Sequence, residues 1–107
     1  MDESQFHREA DSTLTRLAEA LEAADGDALD VEYQGGILTI DLADGRQYVL
    51  NKHGPSRQLW LASPFSGASH YQFAAGARWV GTRGHGDLAH LLARELSPLL
   101  GAELDLG

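Results

Sequence analysis

The chain has 107 residues, of which 43% are hydrophobic, so it has the size of one domain with one modest core. It contains no cysteine, which excludes disulfides, thiolate-bound iron–sulfur clusters and a cysteine nucleophile. Its net charge of -8 is concentrated in residues 1–44, which carry twelve acidic side chains against two arginines. Such a field repels nucleic acid and attracts cations or basic protein surfaces, although a merely solubilising surface has the same composition.

No apolar stretch approaches the roughly 20 residues that a transmembrane helix needs, and no linker, repeat or low-complexity segment divides the chain. The N-terminus, Met1-Asp2-Glu3, is acidic, whereas secretory and transit peptides begin with basic residues. We therefore predict a single domain over residues 1–107, located in the cytoplasm, with neither a membrane nor a nucleic acid as its partner.

An amphipathic helix is predicted over residues 4–24. Its apolar positions recur in steps of three and four along one stripe, at Phe6, Ala10, Leu14, Leu17, Leu21 and Ala24. Ser4 is the expected N-cap. The segment Asp25-Gly26-Asp27 supplies residues that end a helix.

The hydrophobic period then changes to two, which predicts strands. They are expected over residues 30–34, 37–42, 47–52, 58–62, 70–73 and 78–80. Turn signals at Gly35-Gly36 and Asp44-Gly45 separate the first three strands. Every connection is too short for a crossover, so the strands should form an antiparallel meander.

A second helix should begin after Asp87, which is a good N-cap. Its buried stripe consists of leucines, at Leu88, Leu91, Leu92, Leu96, Leu99 and Leu100. Pro98 lies within this pattern, where its missing N–H predicts a kink or an end near Ser97. The order helix, strands, helix predicts an α+β fold, a two-layer α/β sandwich with the N- and C-terminal helices on one face of the sheet.

The other face of the sheet should be open to solvent. Leu59 and Leu61 point to one face of their strand, and Gln58 and Trp60 point to the other. If the leucines face the helices, the open face carries Val49, Asn51, Gln58 and Trp60. A tryptophan that faces water indicates a docking surface, because Trp is enriched at protein interfaces. The alternative is an inverted parity that places Trp60 in the core.

Acidic residues of the first helix form a line beside its apolar stripe. Glu3, His7 and Asp11 stand four residues apart, with Glu22 and Asp25 near the same line and Glu19 further round. Carboxylates with an imidazole suit hard or borderline cations such as iron or manganese. No four groups have the spacing of a cage, so any site should be weak and largely water-coordinated. The alternative is an ordinary solvated helix face.

The middle of the chain resembles the frataxin family. The residues that carry the resemblance are Gly36-Ile37-Leu38-Thr39-Ile40, Tyr48-Val49-Leu50-Asn51-Lys52, Gln58-Leu59-Trp60-Leu61-Ala62-Ser63-Pro64 and Ser66-Gly67. The similarity continues through Tyr71, Trp79-Val80, Leu88, Leu91-Leu92, Glu95-Leu96 and Leu104-Asp105-Leu106. The start, Phe6-His7-Arg8 with Ala10-Asp11, is similar to bacterial, CyaY-type members.

This resemblance implies a fold with two helices on one face of an antiparallel sheet. It also implies weak binding of ferrous and ferric iron by an acidic ridge formed by the first helix and first strand. Here the ridge would be Glu3, His7, Asp11, Glu19, Glu22, Asp25, Asp27, Asp30 and Glu32. The implied protein partner is a complex of cysteine desulfurase and iron–sulfur scaffold protein, and the implied docking residues are Asn51, Gln58 and Trp60. His70 stands where some relatives carry Arg, and His53 replaces a common Gln.

Two classes of function follow from the resemblance. The first is an iron-binding regulator or iron donor for cluster assembly. The second is a purely protein-binding modulator of the desulfurase whose acidic ridge meets basic partner surfaces and whose metal binding is incidental. A ferroxidase ranks below both, because the pattern lacks a buried di-iron carboxylate cage, so we predict a protein that is not an enzyme. It should be a monomer without metal, and iron-induced oligomers are left open.

Overall fold

The computed structural model describes residues 1–24, 28–101 and 103–106. The chain contains two helices, α1 (Glu3–Ala24) and α2 (Leu88–Leu100), and all strands of its sheet lie between them in sequence. The sheet consists of β1 (Leu29–Gln34), β2 (Ile37–Leu42), β3 (Gln47–His53), β4 (Gln58–Ser63), β5 (Gly67–Ala74) and β6 (Arg78–Gly81). Its strands lie in chain order and every neighbouring pair is antiparallel. The predicted α+β sandwich and meander are confirmed.

The N-terminus of α1 is capped by a residue other than the predicted one. Asp2 Oδ1 accepts a hydrogen bond of 2.7 Å from the backbone N–H of Gln5, so Asp2 satisfies one of the free donors of the first turn. Ser4 lies inside the helix, and its prediction as N-cap is wrong. The apolar stripe is buried from Phe6 to Leu21, while its last predicted member, Ala24, is exposed.

The hydrophobic core fills the space between the helices and one face of the sheet. Leucines of α1 and α2 meet the inward residues of the central strands, among which Tyr48, Leu50, Leu59 and Tyr71 are fully buried. These inward residues alternate with exposed or half-buried ones along each strand, as expected for a sheet with one face covered. The core therefore fixes which side chains point away from the helices.

A carboxylate ties α2 to the sheet. Glu95 Oε1 accepts hydrogen bonds from the Tyr48 hydroxyl, at 2.9 Å, and from Ser63 Oγ, at 2.7 Å. Burial, followed by the bond to Glu95, raises the pKa of Tyr48. Because Tyr48 and Ser63 belong to β3 and β4, this bond set fixes the position of α2 over the centre of the sheet.

Helix α2 does not end at Ser97. Its N-cap is Asp87, whose Oδ1 accepts from the N–H of Ala89, and the helix continues through Pro98 to Leu100. Gly101 then takes a left-handed conformation with φ of 66°, a common helix C-terminus. Pro98 has no N–H to donate to the carbonyl of Arg94, yet the helix continues for two residues beyond it, so of the kink or end predicted near Ser97 the end is wrong. The Ser97 hydroxyl also accepts from the N–H of Leu104 and thereby joins the tail to the helix.

Strand β5 is longer than its sequence pattern predicted. The expected strand covered residues 70–73, but pairing with β4 extends from Gly67 to Gln72.

Among the described residues, neither helix is long and apolar enough to cross a membrane.

Candidate metal-binding ridge and docking face

The predicted acidic line on α1 begins with a close pair. His7 Nε2 lies 3.6 Å from Glu3 Oε1, one helical turn away, and both side chains reach solvent. The ring of His7 packs beside Phe6 and next to Gly54, in a short 3-10 helix (Gly54–Ser56) between β3 and β4. The Nδ1 of His7 is buried without a hydrogen-bond partner among the described residues. A carboxylate and an imidazole nitrogen thus face each other at a spacing that one cation could bridge with water as further ligands.

Asp11, the third member of that line, is engaged elsewhere. Its Oδ1 accepts a bond of 2.9 Å from the Tyr33 hydroxyl and lies 2.7 Å from Lys52 Nζ. The hydrogen bond from Lys52 lowers the pKa of Asp11, while burial followed by the bond to Asp11 raises the pKa of Tyr33 to about 12. Asp11 therefore joins α1 to β1 and β3, and an incoming cation would compete with an ammonium group.

The remaining ridge residues are spread along two elements. Glu19 and Glu22 are exposed on α1, and Asp30 and Glu32 are exposed on β1. Asp25 and Asp27 lie outside the described residues. Nowhere in ranges 1–24, 28–101 and 103–106 do three His, Asp or Glu side chains come together as a metal-holding group. The carboxylate and imidazole ligands present fit a surface that binds cations weakly, with water completing the coordination, and do not fit an enclosed metal site formed by protein ligands alone.

The sheet face away from the helices carries the predicted docking residues. Leu59 and Leu61 are buried under the helices, so Trp60 points to the open face and the predicted parity is confirmed. Asn51 pairs with Trp60, and Val49 pairs with Ala62 in the neighbouring strand. These positions, with Gln58, form one continuous patch across β3 and β4, which we call the docking face: Val49, Asn51, Gln58 and Trp60.

Trp60 lies between two imidazole rings. The ring of His53 stacks on one side at a centroid distance of 3.7 Å and an interplanar angle of 11°. The ring of His70 stacks at 4.3 Å and 8°. The indole N–H donates to Gln58 Oε1 at 2.9 Å, and His53 Nδ1 lies 2.6 Å from Ser56 Oγ. The indole is therefore half-buried although no helix covers it.

His53 and His70 were not among the predicted docking residues. Strand parity places His70 on the face of Trp60, whereas His53 lies one residue beyond the predicted end of its strand and joins that face because β3 extends to it. The direct pairing of Trp60 with His70, and the diagonal position of His53, depend on a register that the turns and core fix in three dimensions.

Similarity to known proteins covers nearly all of this chain. A family model described as a frataxin-like domain matches residues 1–102. The mitochondrial frataxin homolog of Schizosaccharomyces pombe is 37% identical over 98 residues, which is 87% of this chain and 62% of that protein. The iron-sulfur cluster assembly protein CyaY of Vibrio vulnificus is 30% identical over 105 residues, with 98% of both chains covered. The chain thus spans about three fifths of the mitochondrial relative and nearly all of the bacterial one.

Two solved structures share the arrangement of helices and strands. Frataxin from Psychromonas ingrahamii superposes with a TM-score of 0.87 over 100% of this chain and 99% of its own, at 22% identity, which bears on the fold alone. Trimeric frataxin from the yeast Saccharomyces cerevisiae, complexed with ferrous iron, has a TM-score of 0.75 at 34% identity, with 87% of this chain and 86% of that chain covered.

Proposed function

Because the chain belongs to the frataxin family, we propose that it is an iron-binding protein of iron–sulfur cluster assembly that docks on a cysteine desulfurase–scaffold complex. The family match over residues 1–102 carries this proposal. A bacterial relative named for cluster assembly and a yeast relative crystallised with ferrous iron support it. The protein would act by binding rather than as an enzyme, because its described carboxylates do not form the enclosed di-iron cage of a ferroxidase.

The two surfaces have separate tasks in this proposal. The acidic ridge holds iron as cargo, through exposed carboxylates and the Glu3–His7 pair. The docking face holds the protein partner, with Trp60 as its central aromatic anchor. Because the ridge is formed by α1 and β1 and the anchor by β4, a change in one surface should leave the other intact.

Iron binding is tested by following NMR signals during addition of ferrous iron. Signals of Glu3, His7, Glu19 and Glu22 should broaden or shift before those of α2, and manganese should perturb the same residues, because exposed carboxylates discriminate poorly among these ions. Replacing Glu19 and Glu22 together by glutamine should weaken binding without abolishing it. Perturbation centred on His85 and His90 instead would place the iron site elsewhere.

The role in assembly is tested by cysteine desulfurase activity and cluster formation on the scaffold, with and without this protein and with and without iron. We expect the protein to change the rate of at least one of the two reactions. No change in either rate under any of these conditions would contradict the proposed role.

A second function is favoured by the state of Asp11. Its carboxylate already binds Lys52 and Tyr33, and the described ridge has no converging ligand set. These contacts fit a protein-binding modulator whose metal binding is incidental. The same assembly assay separates the two functions. A modulator changes the rates to the same extent with and without iron, whereas the effect of an iron donor requires iron and is reduced in the Glu19→Gln, Glu22→Gln double variant.

A further inference from the structure

Charge is segregated along this chain more sharply than its net value indicates. Residues 45–86 contain no Asp or Glu, although the whole chain has 16 of them. The same segment holds five of the eight Lys and Arg residues and three of the five histidines. It builds β3 to β6, so the acidic groups of the open sheet face are confined to β1 and β2. The half of the face around Trp60 therefore carries no acidic side chain, although Arg46 and Lys52 of the same segment pair with Asp44 and Asp11. Positive charge gained there would suit an acidic partner.

The two titratable groups nearest to Trp60 are its stacking partners. His53 and His70 stack nearly parallel to the indole, at 3.7 Å and 4.3 Å between ring centroids, so a partner that contacts Trp60 also meets the two imidazoles. A protonated imidazole over an indole gains a cation–π interaction, for which Trp is the best aromatic partner. Protonation would therefore strengthen the stack and add positive charge at the centre of the docking face.

The surroundings of the two imidazoles leave this charge uncompensated. His53 contacts Ser56 and lies opposite Gln58 in the sheet. His70 pairs with Trp60, and its carbonyl accepts from the N–H of Thr82, the residue after β6. The charged residues nearest to His53 in sequence are the cations Lys52 and Arg57, whose donors bind Asp11 and the carbonyl of Gly54, and the one nearest to His70 is Arg78. Among the described residues, neither imidazole forms an ion pair with an Asp or Glu.

We propose that His53, Trp60 and His70 form one docking unit that binds an acidic segment of the partner protein and that grips it more tightly when the imidazoles are protonated. Histidine changes charge close to physiological pH, so the unit would respond to modest acidification. The proposal rests on the proposed function, since it names how that docking face recognises its partner.

The test measures binding to the cysteine desulfurase–scaffold complex at about pH 8 and about pH 6, the range in which histidine titrates. Three proteins are compared: the unmodified chain, the His53→Gln, His70→Gln variant, and the His85→Gln, His90→Gln variant as a control with two exposed histidines elsewhere. Any effect of pH on the partner complex itself is the same in all three measurements and cancels when they are compared. The ratio of affinity at pH 6 to affinity at pH 8 should be about threefold or more larger for the unmodified chain and the control than for the His53→Gln, His70→Gln variant.

The stack itself is checked by NMR without a partner. Protons of an imidazole that lies over an indole are shielded by the ring current, so the ring signals of His53 and His70 should move downfield in Trp60→Ala. Unmoved signals would show that the stack is absent in solution and would overturn the proposal.

The outcomes separate this inference from the proposed function. Binding that is lost in Trp60→Ala but has the same pH dependence with and without His53 and His70 would overturn the inference alone. A gain in affinity toward high pH that depends on these histidines would overturn it as well, because the partner would then be basic. Failure of the unmodified chain to bind the complex at either pH would overturn the proposed docking and this inference with it.

Discussion

The two tryptophans of the chain occupy opposite environments. Trp79 is 2% exposed in the core and donates its indole N–H to Thr13 Oγ1 at 2.8 Å. Trp60 lies on the open face, where His53 and His70 stack on its rings. The same residue type therefore packs in the core at one position and lies on the sheet face away from the helices at the other.

Replacement of each tryptophan by alanine should reveal this difference. Trp60→Ala should cost about 1–2 kcal/mol in the free energy of unfolding, because it removes two ring contacts but empties no core site. Trp79→Ala should cost about 3–5 kcal/mol, and Leu61→Ala about 2–5 kcal/mol, because each leaves a cavity. Urea unfolding measures all three. A Trp60→Ala variant as unstable as Trp79→Ala would mean that the open face is covered in solution.

The Asp11–Lys52 ion pair should stabilise the fold only above acidic pH. The pKa of Asp11 in the folded state is lowered, first by the hydrogen bond from Lys52. The stabilisation is therefore fully present above the ordinary pKa of 3.8 and is lost as the pH falls through the lower pKa of the folded state. Asp11 is 50% exposed, and solvent screening limits the effect of Asp11→Asn to about 1 kcal/mol or less at neutral pH. Unfolding measured from neutral to strongly acidic pH should show the difference in stability between Asp11→Asn and the unmodified chain shrinking to zero.

Glu22→Gln is the matched control for that experiment. It removes one exposed charge from the same helix, and within the described part of the chain Glu22 forms no ion pair. An Asp11→Asn variant that behaves like Glu22→Gln at every pH would contradict the stabilising role of the pair.

Residue-scale features were predictable only where alternation alone decided them. Period two and the buried leucines placed Trp60 on the open face, as the structure confirms. The engagement of Asp11 was missed because Lys52 and Tyr33 come from strands 41 and 22 positions further along the chain, and only the packed sheet brings them to α1. The stack of His53 on Trp60 was missed for the same reason.

At the scale of elements, the helices and strands were predicted by hydrophobic period, while their ends depended on local bonds. Asp2 rather than Ser4 caps α1, because its carboxylate reaches the N–H of Gln5. Helix α2 continues past Pro98 to Leu100, although this proline has no N–H to donate to the preceding turn. Strand β5 begins at Gly67, because pairing with β4 orders residues that lack a strand pattern of their own.

The cap of α2 gives a prediction at this scale. Asp87→Ala should lower the free energy of unfolding by about 1 kcal/mol, because the N–H of Ala89 loses its acceptor. Asp87→Asn keeps an acceptor at the same position and should stay within a few tenths of the unmodified chain. Equal losses in the two variants, measured by thermal unfolding, would show that the charge of Asp87 matters and its cap does not.

At the scale of the whole molecule, the charge of -10 on residues 1–44 repels itself in the folded state. Moderate salt screens this repulsion, and a divalent cation that binds only the folded chain adds stability by mass action. The melting temperature should therefore rise with salt and rise again with divalent metal. The Glu19→Gln, Glu22→Gln variant should respond less to both. A melting temperature that does not rise with either would contradict the account of the ridge.

In the proposed function, an acidic ridge on α1 and β1 binds iron and a docking face around Trp60 binds the partner, and the central claim is that these surfaces work separately. The decisive measurement is the affinity of Trp60→Ala for the cysteine desulfurase–scaffold complex, with its affinity for ferrous iron measured in parallel. Binding to the complex should weaken by roughly thirtyfold or more, the loss expected for a central aromatic anchor, while iron affinity stays unchanged. Undiminished binding to the complex, or a parallel loss of iron, would contradict the claim.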